Sequence, residues 1–404
     1  MVEETTALMT GHEAAAWAVK LAGVKVIVCY PITPASPVIE ILSEYVANGE
    51  LDAESIEIEG EHSCLAAIRG AAWTGVRVFT STSGPGLAYA HENVQMAHTD
   101  RVPIVMTVPT RSHVTDWSAG CADHSTIICE STTGWIQLFC ENQQEVLDTI
   151  LQAYRISEDH RVLLPIMVVY DGLITSHSSL TIKLPSQEDA DNFLPPYIPF
   201  RKLDPDDPIN IISSGGLHVP FMEKQHELAM EDAKKVISEA NEEYCSIFGR
   251  KYGDGLIENI MCDDAEALLI TMGSHVGTAR TVVKQMREEG KKIGLIKIRS
   301  FRPFPVEALY EKISDIAPKA IGVIAPQITH GTNNSELCGD IRDTLYDLDG
   351  RPKTINFIMG LTGTDISPKR MRYAAERTLE AARTGVVENS TEWGYDITQK
   401  LGGI

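Results

Sequence analysis

The chain has 404 residues, of which 43% are hydrophobic and 23% charged, with a formal net charge of −21. That length exceeds one ordinary domain and predicts two units with a sizeable core. The negative excess opposes nucleic-acid partners, which are held chiefly by Lys and Arg on phosphates, and reads instead as solvated surface.

The opening MVEETTALMTGHEAA carries acids where a secretory signal needs basic residues and an apolar run. The most apolar run, VKVIVCYPI, is too short to span a bilayer, so a cytoplasmic protein without a membrane partner is expected. Helix and strand then alternate at short range, which predicts an α/β fold with a parallel sheet covered on both faces. GHEAAAWAVKLAG reads as an Ala-rich helix ended by Gly23, and VKVIVCY as a continuously apolar central strand. The strand runs into a loop holding Pro31, Pro34 and Pro37, with Ser36 and Pro37 expected as N-cap and first residue of the next helix.

SIEIEG (strand), EHSCLAAIRGAAWTG (helix, stopped at Gly75), VRVFTST (strand), GLAYAHENVQMAH (one helix) and VPIVMTVP (strand) continue the alternation. In such sheets ligands bind at loops leaving the carboxyl ends of strands. YPITP, TSTSGPG and VPTRSH all hold that position. A proline-stiffened loop keeps its side chains in place with little entropy left to lose on binding.

Past Ser178 the periodicity fades into the Pro- and Asp-rich LPSQEDADNFLPPYIPFRKLDPDDPINI, followed by a charged helical stretch, FMEKQHELAMEDAKKVISEANEEYCSIFG. A second α/β run starts at Asp264 with AEALLITMGS, VGTARTVVKQMREEG, KIGLIKIRS and AIGVIAP, and ends in a helix near SPKRMRYAAERTLEAA. The expected division is 1–260 and 261–404.

The eight cysteines include no C-x-x-C pair, so neither a disulfide framework, a zinc ribbon nor a self-contained iron–sulfur motif is expected. The histidines lack H-E-x-x-H or H-x-x-x-H spacing. His91 and His98, seven apart on a helix, are given core or surface roles, and no metal ligand is assigned. Cys29 and Cys64 read as small buried hydrophobes. Taken alone, Glu61 is a first-turn acid favoured by the helix dipole; Thr33 is a turn hydroxyl and Arg111 a loop cation.

Taken together, Glu61 before a small-residue helix and the S-G-P-G turn after the next strand resemble the pyrimidine-binding domain of thiamine-diphosphate enzymes. The ordered blocks YPITPASP, EHSCLAAIRGAAWTG, GLAYAHENVQMA, RVPIVM, TTGWIQLFCENQQEVLDTILQAYRI, YDGLITSH, FLPPY, LDPDDP, FGRKYG and KIRSFRPFP narrow the resemblance. They resemble the alpha subunit of 2-oxoacid:ferredoxin oxidoreductases, the pyruvate synthase group. The resemblance implies a pyrimidine-type α/β domain followed by a smaller α/β domain like the transketolase C-terminal domain. It implies that Glu61 hydrogen-bonds the aminopyrimidine of thiamine diphosphate, favouring the tautomer that removes the thiazolium proton. Tyr30, Pro31, Ser83, Gly84 and Gly86 would lie at the cofactor. Thr33 and Arg111 would meet the substrate carboxylate, and Asp116, Asp123 and His124 would shape the pocket.

The GDG at Gly253 to Gly255 resembles the Mg²⁺ and diphosphate anchor of thiamine enzymes. It follows the polar IFGRKY rather than an apolar strand, however, and TARTVVKQM beyond Gly277 offers no Asn, so a surface turn is expected. The resemblance then places the diphosphate and Mg²⁺ with a beta subunit, and [4Fe-4S] clusters with a ferredoxin-like subunit. It adds a gamma-type subunit, CoA as co-substrate, and ferredoxin or another acceptor for the electrons. Ser131 stands where relatives often have Arg before x-T-G-W, a Pro pair before the Trp is missing, and IAPQITHGTNN replaces an Asp-Arg and Ser-Phe-Gly pattern. These departures suggest an aromatic or branched 2-oxoacid such as phenylglyoxylate, with pyruvate kept as the other expected substrate. The rival readings are a non-oxidative thiamine-diphosphate decarboxylase or lyase, which needs a diphosphate motif in the same chain, and a catalytically silent scaffold subunit. Intact Glu61, Thr33 and Arg111 weigh against the scaffold.

Overall fold

The computed structural model describes residues 5–112, 122–208 and 219–394. In chain order the strands are β1 Thr6–Met9, β2 Val26–Cys29, β3 Glu54–Glu57, β4 Val78–Ser81, β5 Val105–Pro109, β6 Ile136–Phe139, β7 Ile166–Tyr170 and β8 Leu180–Lys183. They continue with β9 Ile257–Ile260, β10 Ala267–Met272, β11 Ile293–Ile298, β12 Ser300–Arg302, β13 Ala320–Ala325, β14 Lys353–Ile358 and β15 Thr391–Trp393. The helices of the first half are α1 Gly11–Leu21, α2 Ser36–Ala47, α3 Glu61–Ala72, α4 Gly84–Tyr89, α5 His91–Asp100, α6 Ser125–Cys129 and α7 Gln143–Ser157. After them come α8 Ile174–His177, α9 Gln187–Phe193, the long α10 Val219–Phe248, α11 His275–Glu288, α12 Val306–Ile316, α13 Glu336–Thr344 and α14 Pro368–Thr384.

The first sheet runs β3-β2-β4-β5-β7-β6-β12, parallel except for the antiparallel β12. The second runs β9-β11-β10-β13-β14-β15, parallel except for β9. The α/β class expected from the alternation is therefore the class observed. β4, β5 and β7 are buried along their whole lengths, as strands covered on both faces must be. At the sheet edge β3 carries acids and exposed positions, which keeps it from pairing with another chain. One core lies between the first sheet and α1, α2, α7 and α10. A second is continuous from the other face of that sheet, under α3 and α5, to the second sheet. A third lies under α11 and α14.

Local signals work where side chains are free to cap. Thr10 and Glu13 form a capping box on α1, and Gly23 follows the helix at φ +65°. Ser36 differs from expectation: it is the first residue of α2 and caps nothing. The N–H groups of Ala35 and Ser36 donate to Ile32 O, Pro37 has no N–H to cap, and Val38 N already donates to Ala35 O at 3.2 Å, so no donor is left for a capping hydroxyl here. The single helix expected over GLAYAHENVQMAH is two, parted at Ala90, after which α5 packs on α3 with Arg69 bridging Asp100 (2.6 Å) and Asn93 (2.8 Å).

The second sheet opens with β9, just ahead of residue 260, and β12 leaves the second half to extend the first sheet beyond β6. Beside that crossing, Lys297 and Arg299 reach Glu145 of α7 at 2.7 and 3.3 Å. Among the described residues no helix is long and apolar enough to cross a membrane.

Candidate active site

The chain leaves β2 through α2 on one face of the sheet, forms β3, and returns through α3 on the other face to β4 on the far side of β2. The loops after β2 and β4 therefore part in opposite directions. That opens a crevice at the carboxyl ends of the two strands, the usual ligand position in such sheets. Glu61, the first residue of α3 after the extended Gly60, lies buried there, 7% exposed. Its carboxylate makes no hydrogen bond with any described residue.

Glycine at 86 makes room for it. A Cβ at Gly86 would collide with Glu61 Oε1 and stand 2.7 Å from Thr82 Oγ1. That Thr82 hydroxyl is buried and without a partner among the described residues, as is Thr110 Oγ1 after β5. Thr82 Oγ1 is buried and unpaired beside a carboxylate that has no hydrogen-bond partner among the described residues, which costs the free chain, so the crevice has polar demand that a ligand can meet. Beneath it, burial pushes the Cys64 thiol up to about 12 and that of Cys29 up to about 11, so both behave as small neutral hydrophobes.

The surrounding loops lock together. Ser83 is buried and donates to Pro109 O. Gly84, at φ +47°, lies against the Arg111 side chain, where a Cβ would be 3.0 Å from Cδ. Arg111 Nη1 donates to Thr33 O at 2.9 Å, joining the β5 loop to the proline loop, and Thr126 Oγ1 donates to Arg111 O at 2.7 Å. The Thr33–Pro34 peptide is cis. A Cβ at Gly172, after β7, would collide with Thr110 O and sit 3.0 Å from Pro34 Cγ, so this loop also presses on the crevice wall. Tyr30, Pro31 and Thr33 are exposed beside it.

Glu61, Ser83, Gly84, Gly86, Arg111 and Thr33 thus converge. Asp123 and His124 stand at the seam between the two sheets, where Asp123 also lines a cavity of about 680 Å³ shared with Ser112. Asp123 accepts from the N–H groups of Ser125 and Thr362, both at 2.9 Å, and His124 N donates to Pro326 O at 3.0 Å. The His124 ring packs on Phe139, and burial, with His275 second, holds it well below the usual histidine range. Both residues knit the two sheets together. Asp116 lies outside the described residues. Sequence reasoning passed over Thr82 and Thr110. The available signal was a Thr immediately beyond each of two buried central strands.

Residues that depart from the family pattern gather from two distant segments. Ser131, Gln327, Ile328, Thr329 and His330 line one cavity of about 680 Å³ together with Ser112, the neighbour of Arg111. In the GDG segment, Gly253 and Gly255 have positive φ, and Asp254 Oδ1 accepts from the N–H groups of Leu256 (2.8 Å) and Ile257 (2.7 Å). The carboxylate is spent on its own turn, leading into β9.

The family described as pyruvate flavodoxin/ferredoxin oxidoreductase, thiamine-diphosphate-binding, matches residues 17–244. The pyruvate:ferredoxin oxidoreductase core domain II matches residues 265–371. The chain is an alpha subunit of the 2-oxoacid:ferredoxin oxidoreductase family. It is 45% identical to the pyruvate synthase subunit PorA of Methanocaldococcus jannaschii over 89% of this chain and 91% of that one. With the ketoisovalerate oxidoreductase subunit VorA of Pyrococcus abyssi it shares 38% identity, over 96% of each chain. The fold also matches the 2-oxoglutarate:ferredoxin oxidoreductase of Magnetococcus marinus, solved with 2-oxoglutarate, coenzyme A and succinyl-CoA bound, at a TM-score of 0.68 and 18% identity. That match covers 94% of this alpha subunit and 66% of the longer polypeptide.

Proposed function

We propose that this alpha subunit forms the pyrimidine-binding half of the thiamine-diphosphate site in a CoA-dependent 2-oxoacid oxidoreductase. The complex would convert a 2-oxoacid to acyl-CoA and CO2 and pass the electrons to iron–sulfur clusters in partner subunits. The observation that carries this reading is the buried, unpartnered Glu61 carboxylate beside the unpartnered Thr82 hydroxyl, with Gly86 keeping the space between them open. These residues fit the pyrimidine end of the cofactor, which presents the nitrogen and amino groups they lack.

When bound, thiamine diphosphate supplies the nucleophilic carbon that attacks the 2-oxo group. Glu61 would hold a proton shared with the pyrimidine ring nitrogen, in a crevice where exclusion of water strengthens the bond. Arg111 would pair with the carboxylate of the 2-oxoacid, steadied by its bond to Thr33 O and by Thr126. Decarboxylation removes that same carboxylate, so Arg111 and Thr33 orient the substrate and do not retain the product.

Asp254 is occupied by its own turn, which supports a beta subunit as the holder of Mg²⁺ and the diphosphate. Tyr30, Leu173 and Ile174 follow strand ends on the crevice side and Tyr89 packs beside Gly60; all four are exposed apolar residues of the kind a partner covers. The same reading includes a ferredoxin-like subunit with [4Fe-4S] clusters, a gamma-type subunit, ferredoxin as acceptor and a cytoplasmic location. Pyruvate is the first substrate to test, on the strength of the pyruvate synthase relatives. A branched or aromatic 2-oxoacid is the second, because the family departures cluster on the 680 Å³ cavity.

Native purification with subunit identification and cofactor analysis, followed by CoA-dependent dye reduction against a panel of 2-oxoacids, tests the proposal. Bound thiamine diphosphate and turnover that requires CoA are expected. A complex free of thiamine diphosphate would sink the proposal in favour of a silent scaffold, and CoA-independent release of an aldehyde would favour a non-oxidative decarboxylase.

A further inference from the structure

Among the described residues, one group of histidine and acidic side chains away from the crevice is close enough to hold a metal ion: His98 near the end of α5, with Glu223 and His226 on α10. One donor atom from each lies within 4.8 Å of the other two. Glu223 and His226 are three residues apart and so share a face of α10, while His98 comes from a helix more than a hundred residues earlier in the chain.

The two imidazoles are prepared in different ways. His98 Nδ1 donates to Gln95 O at 2.6 Å, which fixes the tautomer and leaves the Nε2 lone pair free. Its ring is clamped against Gly134, which has φ +77° and whose Cβ, if present, would stand 2.6 Å from His98 Cγ. His226 is buried, and its Nδ1 has no hydrogen-bond partner among the described residues. The rings meet edge to face with centroids 4.9 Å apart. All three side chains line a cavity of about 400 Å³, which leaves space for water to complete a coordination shell. The cations on its wall are already paired, Lys234 with Glu231 and Glu307, and Arg302 with Asp340.

We propose that His98, Glu223 and His226 bind one divalent first-row transition ion, such as Zn²⁺, which clamps α10 to α5. Two imidazoles and one carboxylate suit such an ion and disfavour Mg²⁺ or Ca²⁺, which take oxygen donors. Bonds of about 2.0–2.2 Å require donors roughly 3.4 Å apart. Donors as much as 4.8 Å apart would close by up to about 1.4 Å on binding, with the exposed Glu223 side chain adjusting through its own torsions and the two rings through small shifts. The ion sits apart from the Glu61 crevice; α5, which carries His98, packs on α3, which begins at Glu61. Its role is to hold the helix layer behind the crevice.

The full-length chain, stripped with a chelator, is titrated with Co²⁺ and then with Zn²⁺ alone, and the same is done on the assembled complex. The expected result is one ion per chain, visible Co²⁺ absorption bands that Zn²⁺ abolishes, and a higher thermal midpoint with Zn²⁺. Glu223→Gln and His226→Gln should each weaken binding by about tenfold or more. Glu227→Gln, in the same cavity but outside the group, should leave binding unchanged. Because Glu223 is exposed, its variant tests the site even if His226→Gln folds poorly. Equal loss in the Glu227 and Glu223 variants, or wild-type uptake no greater than that of the doubly substituted His98→Gln/His226→Gln chain, would overturn the proposal and leave a packed pair of histidines.

Discussion

At position 86 only a hydrogen fits between the Glu61 carboxylate and the Thr82 hydroxyl. Gly86→Ala should therefore push the carboxylate aside and lower turnover at least tenfold with little change in overall fold. Gly70, on the same helix as Glu61, has nothing within 4 Å of a built Cβ, and Gly70→Ala should stabilise by about 1 kcal/mol without touching turnover. Steady-state kinetics beside thermal melts separates the two, and an active Gly86→Ala enzyme would show that the crevice is roomier than the cofactor reading allows. Glu61→Gln should abolish turnover while the complex still assembles; near-normal rates would remove Glu61 from the chemistry. A different buried group contributes to acid stability. His12 donates or accepts at 3.0 Å with the Tyr170 hydroxyl, and burial, then His177, pushes its pKa from 6.5 down to about 3. It stays neutral in the fold and is protonated in the unfolded chain below pH 6.5, so its contribution is complete above 6.5 and is lost as pH falls toward 3. Between pH 7.5 and 5.5 the loss is about 1.4 kcal/mol. Denaturant midpoints of His12→Gln should lack that part of the slope, and identical slopes in the two proteins would count against it.

Between elements, a buried carboxylate of α7 ties that helix to α10 and the segment after it, beside the partly exposed Arg155–Glu243 pair. Asp148, fully buried, accepts from Arg250 Nε (2.6 Å) and Nη2 (2.9 Å), Tyr244 OH (2.7 Å) and Tyr252 OH (2.6 Å). Removing it leaves a guanidinium and two hydroxyls without their acceptor, so Asp148→Ala should cost about 3–5 kcal/mol, read as a shift in the urea midpoint. A cost below about 1 kcal/mol would mean that water replaces the carboxylate. Element by element, legibility followed local chemistry. α1 and α11, and the strands β2, β4 and β10, stand where alternation and apolar runs put them, because their apolar residues are grouped in the chain itself. The start of α2 and the break at Ala90 were not legible, since both depend on backbone turns rather than on a capping side chain.

Across the whole molecule, the two halves are not separable pieces. β12 completes the first sheet from the second half, and Lys297 and Arg299 place their charges on Glu145, which is itself fully buried. A chain ended at Leu256 would leave β6 as an open edge and Glu145 as an unpaired buried acid. Such a fragment should be insoluble or melt far below the full chain in a circular-dichroism scan. A soluble fragment with an unchanged melt would show the crossing to be dispensable.

The order of blocks, the strand-end loops and the glycine-before-helix setting of Glu61 were written in the linear chain, because each depends on neighbours within about a helical turn or on a shared family pattern. Only the folded chain decided that Gly86 borders Glu61, that Thr82 and Thr110 go unpartnered, and that Asp123 and His124 serve the seam between sheets. It alone brought His98 to His226. Those contacts join residues far apart in the chain, and their chemistry is set by burial, which no local pattern of residues specifies.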